Sequence, residues 1–311
     1  MSETVSYTPE EVAKILKISR FTVYEMIKRG DLSAYRIGRK VRVEAPDLEI
    51  YIKNSKGHSP AAQTASNAVS EVPFTAPDGL ILCGQDVILD ILTRHLEKQM
   101  PHIRFLRNYS GSIDGLLALY RGTANAVTTH LWDSDSNTYN LPYVRRILPG
   151  HRTQIINLAY RIEGFYVVKG NPKEINSWED LTRSDVQFVN REPGSGARVL
   201  LDEKLRILGI DHQTISGYKH EEMSHLAVAS SVARGVADVG LGIEKAALQV
   251  QDIDFVPLQN ERYDLVIRKE DANKPHFQAL LSILKSNSFH NEISGMGGYD
   301  LTETGKIIAE T

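Results

Sequence analysis

The stretch from residue 54 to residue 78 constrains the fold of this chain more than any other feature. It reads NSKGHSPAAQTASNAVSEVPFTAPD, is rich in serine, alanine and proline, and has no amphipathic period. This composition predicts a flexible linker, with a weak helix through its alanine-rich middle as the alternative. Residues 1–53 and residues 79–311 must therefore form separate cores. A chain of 311 residues is long enough for two domains at roughly 100–200 residues each.

Composition narrows the class of protein. Hydrophobic residues make up 41% of the chain and charged residues 24%, which is typical of globular proteins. The formal net charge is only -3, so any contact with nucleic acid requires a local basic patch. A single cysteine, Cys83, excludes an intrachain disulfide bond. No apolar run approaches the roughly 18 residues of a membrane span, and the first residues lack a secretory-signal pattern. We therefore expect a cytoplasmic protein.

The N-terminal domain begins with two short amphipathic helices. Thr8 and Glu11 form a capping-box pattern around Pro9, which suits the first helical position. Ser19 is the predicted cap of the second helix, and Gly30 is its predicted end. The apolar residues expected to face the core are Val12, Ile15 and Leu16 in the first helix and Val23 and Ile27 in the second. Two such helices joined by a tight turn predict a helix-turn-helix.

A basic β-hairpin follows, from Ala34 to Val43, and a third helix begins at Pro46, with Leu48, Tyr51 and Ile52 closing the small core. The N-terminal end of the second helix is the part that meets base edges in a major groove. Cations in the hairpin, or wing, neutralise phosphates or enter a minor groove. The candidate DNA-binding residues are Ser19, Arg20, Thr22, Tyr24, Lys28, Arg36, Arg39, Lys40 and Arg42.

Residues 1–53 resemble a known DNA-binding family. The stretch YTPEEVAKILKISRFTVYEMIKRGDLSAYRIGRKVRV and the following DLEIYI are similar to the excisionase-type winged helix-turn-helix. The resemblance implies DNA binding. A protein-interaction module that kept the same fold is the alternative.

From Leu80 onward, apolar strand patterns alternate with helix patterns almost to the C-terminus. The predicted strands are Leu80–Cys83, Ile103–Leu106, Ala124–Thr129 and Tyr263–Ile267, and the predicted helices are Val87–Met100 and Ile113–Tyr120. This pattern predicts an α/β class, with an open sheet covered by helices on both faces. In such sheets, ligands bind beyond the carboxyl ends of the strands, near helix N-termini.

Two loops in this domain have the chemistry of an anion site. Ser110-Gly111-Ser112 and Gly194-Ser195-Gly196 each offer hydroxyls and backbone amides at the start of a helix, where the dipole is positive. Either pattern alone also fits an ordinary helix cap, but one in each half of the domain favours an anion site. The full candidate ligand set is Gln85, Asp86, Ser110, Gly111, Ser112, His130, Arg191, Gly194, Ser195, Gly196, Ala197, Arg198 and Glu244.

No catalytic or metal site is predicted. No nucleophile and base stand at a recognisable spacing. His220, Glu221 and His225 match no zinc pattern, and we interpret them as a solvated helix entry.

The C-terminal domain resembles a second family. YSGSIDGLLALYRGTANAVTTHLWD, FVNREPGSGARVLLDEKL and SHLAVASSVARGVADVGLGIE are similar to the periplasmic molybdate-binding-like domain fused to helix-turn-helix modules in bacterial one-component regulators. The resemblance implies a two-lobed, type II periplasmic-binding-protein-like fold that closes on molybdate or tungstate, with no cofactor. Gln85 stands where the relatives have serine. His130, Arg191 and Glu244 keep a larger organic anion or a molybdenum cofactor open as alternatives.

The leading hypothesis is a transcriptional regulator controlled by a small anionic ligand. Ligand closes the cleft and changes how two winged helices are held on operator DNA, so a homodimer or higher homo-oligomer is expected. The alternatives are a recombination accessory or architectural DNA-binding protein, and an enzyme acting on a small anion. We expect no enzymatic activity.

Overall fold

The computed structural model describes residues 6–16, 20–29, 32–37, 40–48, 51 and 79–311. The chain divides into two compact units, Met1–Glu71 and Val72–Thr311. The division falls inside the predicted linker, all of which lies outside the described residues. Within the described ranges, every helix is too short or too polar to cross a membrane.

In the N-terminal unit, two helices and a small antiparallel sheet form a winged helix-turn-helix. The helices are Pro9–Leu16 and Arg20–Arg29, and residues 45–48 and 51 are also helical. The strands are Ser6–Tyr7, Tyr35–Ile37 and Lys40–Glu44, with the last strand between the other two. The predicted capping box is confirmed, because Thr8 N donates to Glu11 Oε2 at 2.7 Å and Glu11 N donates to Thr8 Oγ1 at 3.3 Å.

A small apolar core holds this unit together. Its buried members include Val12, Val23, Met26, Leu32, Val43 and Leu48. The prediction that Ile15 faces the core is wrong: Ile15 is 46% exposed, and Ala13 is buried on that helix instead. The predicted caps Ser19 and Gly30 and the predicted core residue Ile52 lie outside the described residues.

Within residues 79–311, a mixed sheet of nine strands forms the centre of the second unit. Its strands are Gly79–Cys83, Arg104–Asn108, Ala126–Thr129, Thr153–Val168, Phe188–Arg191, Glu221–Glu222, Val239–Ile243, Ile253–Arg268 and Ile307–Glu310. A separate hairpin pairs Trp132–Asp133 with Thr138–Tyr139. The α-helices are Val87–Gln99, Ser112–Arg121, Leu141–Ile147, Gly196–Leu208, His225–Ala233, Glu244–Ala247, Pro275–Leu284 and Asn287–Met296, with 3-10 helices at Glu179–Thr182 and His212–Thr214.

Two long strands carry the chain between two lobes. We call Thr153–Val168 the first crossing strand and Ile253–Arg268 the second crossing strand. They pair antiparallel along their whole lengths, with register shifts at Pro257–Gln259 and Tyr263–Asp264. Both lobes are therefore built on one continuous sheet, and the connection between them is a two-strand ribbon.

Each lobe is an α/β layer attached to one end of this ribbon. The first lobe, residues 79–152 and 269–311, joins the second crossing strand through Ala126–Thr129. The second lobe, residues 169–252, joins the first crossing strand through Val239–Ile243. This two-lobed α/β arrangement confirms the predicted fold class. The strand predicted at residues 263–267 is the end of the second crossing strand.

Candidate functional site

A small cavity lies between the two lobes of the second unit. It measures about 20 Å³, far below the roughly 300–1,000 Å³ of pockets for drug-sized ligands. The first lobe and the crossing strands contribute Gly84, Gln85, Asp86, Ser110, Gly111, Ser112, Thr128, His130, Arg161 and Tyr263, and residues 191–225 contribute Arg191, Ser195, Gly196 and His225. The cavity therefore admits a group of only a few non-hydrogen atoms.

Within residues 79–311, four helices begin at this cavity. They are Val87–Gln99, Ser112–Arg121, Gly196–Leu208 and His225–Ala233. Three of them start with a lining residue, and the first follows the lining residues Gln85 and Asp86. The first amides of a helix have no partner within the helix, and its dipole places roughly half a positive charge there. Four such ends around one cavity favour an anionic guest.

The three serines predicted as ligand residues all line the cavity, but their hydroxyls differ. Ser110 Oγ is buried and has no nitrogen or oxygen hydrogen-bond partner among the described residues, and it lies beside the thiol of Cys83. Ser112 Oγ accepts from the backbone N–H of His130 at 3.4 Å. Ser195 Oγ donates to Glu192 O at 2.9 Å and accepts from a backbone N–H of the helix that it caps. Ser110 is thus the serine most available to a ligand.

Direct hydrogen bonds join the two lobes beside the cavity. Arg191 Nη2 donates to Gln85 Oε1 at 2.7 Å, and Gln85 Nε2 donates to Glu192 Oε1 at 3.2 Å. Arg191 Nε also pairs with Glu192 Oε2 at 2.7 Å. Nearby, Ile113 N donates to Gly194 O at 3.0 Å. The bonds of Gln85 to Arg191 and Glu192, and the bond of Ile113 to Gly194, each link the first lobe to the second. The structure therefore shows the lobes in a closed arrangement.

A buried chain of charged groups runs from the cavity wall into the crossing strands. Arg161 on the first crossing strand lies opposite Glu261 on the second, and its Nε donates to Glu261 Oε1 at 2.5 Å. Its Nη1 donates to Asp86 Oδ2, and Asp86 Oδ1 accepts from the Tyr299 hydroxyl at 2.7 Å. The guanidinium also lies 4.0 Å from the centre of the Tyr263 ring. Mutual pairing is what makes burial of these charges tolerable.

His130 connects this chain to the cavity. It lines the cavity, and its Nδ1 lies 2.6 Å from Glu261 Oε2. Burial lowers the pKa of His130; Glu261 opposes that shift without reversing it, and Arg161 adds to it. Burial alone would raise the pKa of Glu261, but Arg161, and then His130, hold it well below its usual value. A carboxylate only accepts hydrogen bonds, so the pair is a neutral imidazole whose Nδ1–H donates to ionised Glu261.

Glu163 is a fully buried carboxyl group two residues beyond Arg161 on the first crossing strand. Its oxygens receive no hydrogen bond from a nitrogen or hydroxyl donor among the described residues, and its partner is the carboxylate of Glu261. Burial, and then the charge of Glu261, raises the pKa of Glu163 well above its usual value, which favours the protonated form of Glu163. Donor atoms of His130, Glu163 and Glu261 lie within 4.8 Å of one another, as in a metal site. Glu261 already binds Arg161 and His130, and we assign no metal there.

Replacement Glu163→Gln is expected to stabilise the protein at neutral pH. Folding raises the pKa of Glu163. The group therefore leaves the free energy of unfolding unchanged below its unfolded-state pKa of about 4.3, and it lowers that free energy increasingly as pH rises towards the folded-state pKa. Glutamine resembles the protonated form of Glu163 and is neutral at every pH, so it does not destabilise the protein in this way. Melting temperatures of variant and wild type should coincide near about pH 4 and diverge towards about pH 8. A variant less stable than wild type at the higher pH would contradict a protonated Glu163.

Most of the predicted ligand residues line the cavity, but Gly194, Ala197, Arg198 and Glu244 do not. The Arg198 guanidinium instead lies 4.1 Å from the centre of the Tyr218 ring and pairs with Asp202 at 3.2 Å. Glu244 begins the short helix Glu244–Ala247. Gly194 contributes a carbonyl to the contact between the lobes. These four residues therefore lie outside the cavity lining.

Several lining residues are absent from the predicted set, namely Gly84, Thr128, Arg161, His225 and Tyr263. His225 begins the helix His225–Ala233, as the interpretation of a helix entry predicts, but its side chain is only partly solvated, because its Nδ1 is buried and the residue lines the cavity. Burial, and then the charge of Arg191, lowers the pKa of His225 well below its usual value. For Arg161, the spacing from Glu163 shows only that the two residues share one face of a strand, and it does not show that this face is buried.

Part of the predicted DNA-binding surface is described in the N-terminal unit. Arg20 and Tyr24 are exposed on the second helix, and Arg20 Nε pairs with Glu10 Oε1 at 2.8 Å. Arg42 lies on the wing strand Lys40–Glu44. Ser19 and Arg39 lie outside the described residues, as do the side chains of Thr22, Lys28, Arg36 and Lys40.

Comparisons with protein families confirm the predicted pair of modules. Residues 6–56 match a helix-turn-helix domain and residues 93–285 match the PBP superfamily domain. Neither is an enzyme family. The chain is 44% identical to the uncharacterized protein YvgK of Bacillus subtilis over 314 residues, which cover 100% of both chains. It is 62% identical over 112 residues to an uncharacterized protein in a ferredoxin 2Fe-2S gene 5′ region of Clostridium pasteurianum, covering 36% of this chain and 99% of that one.

Solved structures share the fold of the second unit at low identity. A putative phosphate ABC transporter substrate-binding protein from Clostridium perfringens, with bound phosphate, has a TM-score of 0.53 and 14% identity and covers 72% of this chain and 99% of its own. The sulfate-binding protein SubI from Mycobacterium tuberculosis has a TM-score of 0.50 and 13% identity. The match covers 71% of this chain and 85% of SubI. Because the PBP model spans more than half of the chain, this protein belongs to the PBP superfamily and carries a helix-turn-helix domain ahead of its PBP domain.

Proposed function

We propose that this protein is a transcriptional regulator whose DNA binding responds to a small tetrahedral oxyanion held between its lobes. The observation that carries the proposal is the small cavity between the lobes at which four helices begin, in a chain that also has a helix-turn-helix domain. Helix N-termini attract anions, and the helix-turn-helix contacts the major groove. Such a regulator acts in the cytoplasm, where the DNA is.

Molybdate or tungstate is the proposed ligand, with sulfate and phosphate as competitors. A cavity of about 20 Å³ favours an inorganic oxyanion over an organic anion or a molybdenum cofactor, because an organic skeleton needs more room. The unpaired hydroxyl of Ser110 and the amides at the helix starts are uncharged donors that suit the oxygens of such an anion.

Lobe closure is the proposed switch. A ligand that contacts both lobes favours the closed arrangement in which Gln85 bridges Arg191 and Glu192. A coupling of about 1–3 kcal/mol between anion binding and DNA binding is sufficient for regulation. Two copies of the chain would read half-sites about 34–36 Å apart on one face of the DNA.

Two substitutions should separate anion binding from DNA binding. Ser110→Ala removes an unpaired donor and is expected to weaken anion binding about tenfold or more, since a hydrogen bond to a charged group contributes about 1.5–3 kcal/mol. Arg20→Ala is expected to weaken DNA binding and reduce its salt dependence while leaving anion affinity unchanged. Calorimetry with molybdate, tungstate, sulfate and phosphate measures anion affinity. Fluorescence anisotropy on promoter DNA, with and without anion, measures the switch.

Arg94→Ala is the matched control, because Arg94 pairs with Glu292 at a half-exposed site that is not part of the cavity lining. DNA affinity that is the same without anion and at saturating anion would exclude regulation by the ligand. Turnover of the anion in place of stoichiometric binding would favour an enzyme. Footprints at attachment-type sites, and none at promoters, would favour a recombination accessory protein.

A further inference from the structure

The fixed charges around the cavity already balance almost completely. The guanidinium groups of Arg161 and Arg191 face the carboxylates of Asp86, Glu261 and Glu192. Two cations against three anions leave a net charge of minus one. A dianion adds two further negative charges to a buried site, which is costly without compensation. The helix N-termini supply part of that compensation, and a proton taken up on binding supplies more.

His130 is placed to receive this proton. Its Nδ1 is engaged by Glu261, and its Nε2 has no hydrogen-bond partner among the described residues. The ring is packed against Gly196 of the other lobe, where a Cβ atom would lie 2.3 Å from ring atoms. With Nδ1 directed at Glu261 and the ring fixed in the cavity wall, Nε2 is the nitrogen left for a guest.

We propose that oxyanion binding is coupled to the uptake of one proton by His130, which becomes an imidazolium between Glu261 and the bound anion. The proton comes from solvent and adds to Nε2, and no other covalent bond changes. This inference rests on the proposed function and specifies how its site is regulated: the affinity for the anion rises as pH falls.

The titratable and charged groups that face His130 from the elements packed around it are Glu261, Glu163, Arg161, Arg191, His225 and Tyr263. Arginine side chains stay charged in proteins, and the raised pKa of Glu163 favours its protonated form. His225, whose ring centre is 6.2 Å from that of His130, has no carboxylate bound to it among the described residues. His130 differs because Glu261 stabilises its imidazolium through Nδ1.

The direction of the pH dependence follows from two shifts. Burial lowers the pKa of His130 in the free site, and a bound dianion next to Nε2 raises it. Between these two values, the affinity for the anion should rise about tenfold for each unit by which pH falls. Because the pKa of His130 in the free site lies below the ordinary histidine value of about 6.5, the rise in affinity should continue as pH falls below that value.

Calorimetry on the full-length protein tests this coupling. Sulfate and molybdate are titrated separately, and the one that binds more tightly is measured in buffers with different ionisation enthalpies at about pH 7. The slope of the observed enthalpy against the buffer enthalpy counts the protons taken up. Phosphate is unsuitable because it titrates in the same range. We expect a positive slope that approaches one proton per anion.

Three variants assign the proton. His130→Gln should abolish uptake and make anion affinity independent of pH, while its circular dichroism spectrum matches wild type. His225→Gln and His102→Gln, the latter an exposed site outside the cavity lining, should keep the uptake. Anion binding without uptake, or uptake lost in His225→Gln and kept in His130→Gln, overturns this inference and leaves the regulator proposal standing. Failure of every anion to bind overturns both.

Discussion

Replacement of Arg161 by methionine should destabilise the PBP domain by about 3–5 kcal/mol, because it leaves the buried carboxylates of Asp86 and Glu261 without their shared cation. Methionine retains much of the side-chain volume, so the loss reports charge pairing more than packing. For a domain of this size, the melting temperature should fall by on the order of 10 °C. Thermal unfolding followed by circular dichroism at neutral pH measures the effect.

Acid should narrow the difference in melting temperature between the Arg161→Met variant and wild type. Arg161 holds the pKa of Glu261 well below its usual value against the effect of burial. The stability that this pairing contributes is present above the unfolded-state pKa of about 4.3 and is lost as pH falls. Arg206→Met is the control, because Arg206 is half exposed and pairs with Asp135 and Glu203 at the surface. Equal melting temperatures for Arg161→Met and Arg206→Met at neutral pH would refute a buried ion network.

Replacement Gly196→Ala should weaken anion binding by roughly tenfold to a hundredfold, corresponding to an overpacking strain of about 1–3 kcal/mol. A Cβ atom at Gly196 would lie 2.3 Å from the His130 ring, which belongs to the other lobe. The strain therefore falls on the closed arrangement, while an open arrangement is free of it. Calorimetry with molybdate measures the affinity, and small-angle scattering at saturating molybdate reports the degree of closure.

Gly295→Ala is the matched control for this substitution. Gly295 lies in the helix Asn287–Met296, with nothing within 4 Å of a Cβ atom built there. Alanine should leave anion affinity unchanged and keep or raise the melting temperature, since glycine is unfavourable in helices. Wild-type affinity in Gly196→Ala, with an unchanged scattering curve, would show that His130 and Gly196 do not approach each other in the bound state.

Much of the cavity could be predicted because its walls are helix starts. Ser110, Gly111 and Ser112 in one lobe, and Ser195 and Gly196 in the other, combine small residues with helix signals that are local in sequence. The first-lobe strands and helices were predicted for the same reason, since their apolar periods are set by neighbouring residues. These local patterns also predict which end of each helix faces the cavity.

The buried charge network could not be predicted, because it depends on strand pairing. In a single strand, alternating charged residues such as Arg161 and Glu163 usually mark a solvated face. Only the register that sets Glu261 opposite Arg161, at the centre of two crossing strands, reveals that this face is buried. The prediction that Ile15 faces the core is wrong for a related reason. Helical spacing does not show how much of the helix surface the rest of the domain covers.

The mutual neutralisation of Asp86, Arg161 and Glu261 has an evolutionary consequence. These three residues come from separate parts of the chain, so a change in one of them leaves a buried charge on another without its partner. Ser110 is not paired with a buried charge, because its hydroxyl has no nitrogen or oxygen partner among the described residues. New ligand preferences among descendants of this protein should therefore arise first at Ser110, while the ionic framework is inherited unchanged.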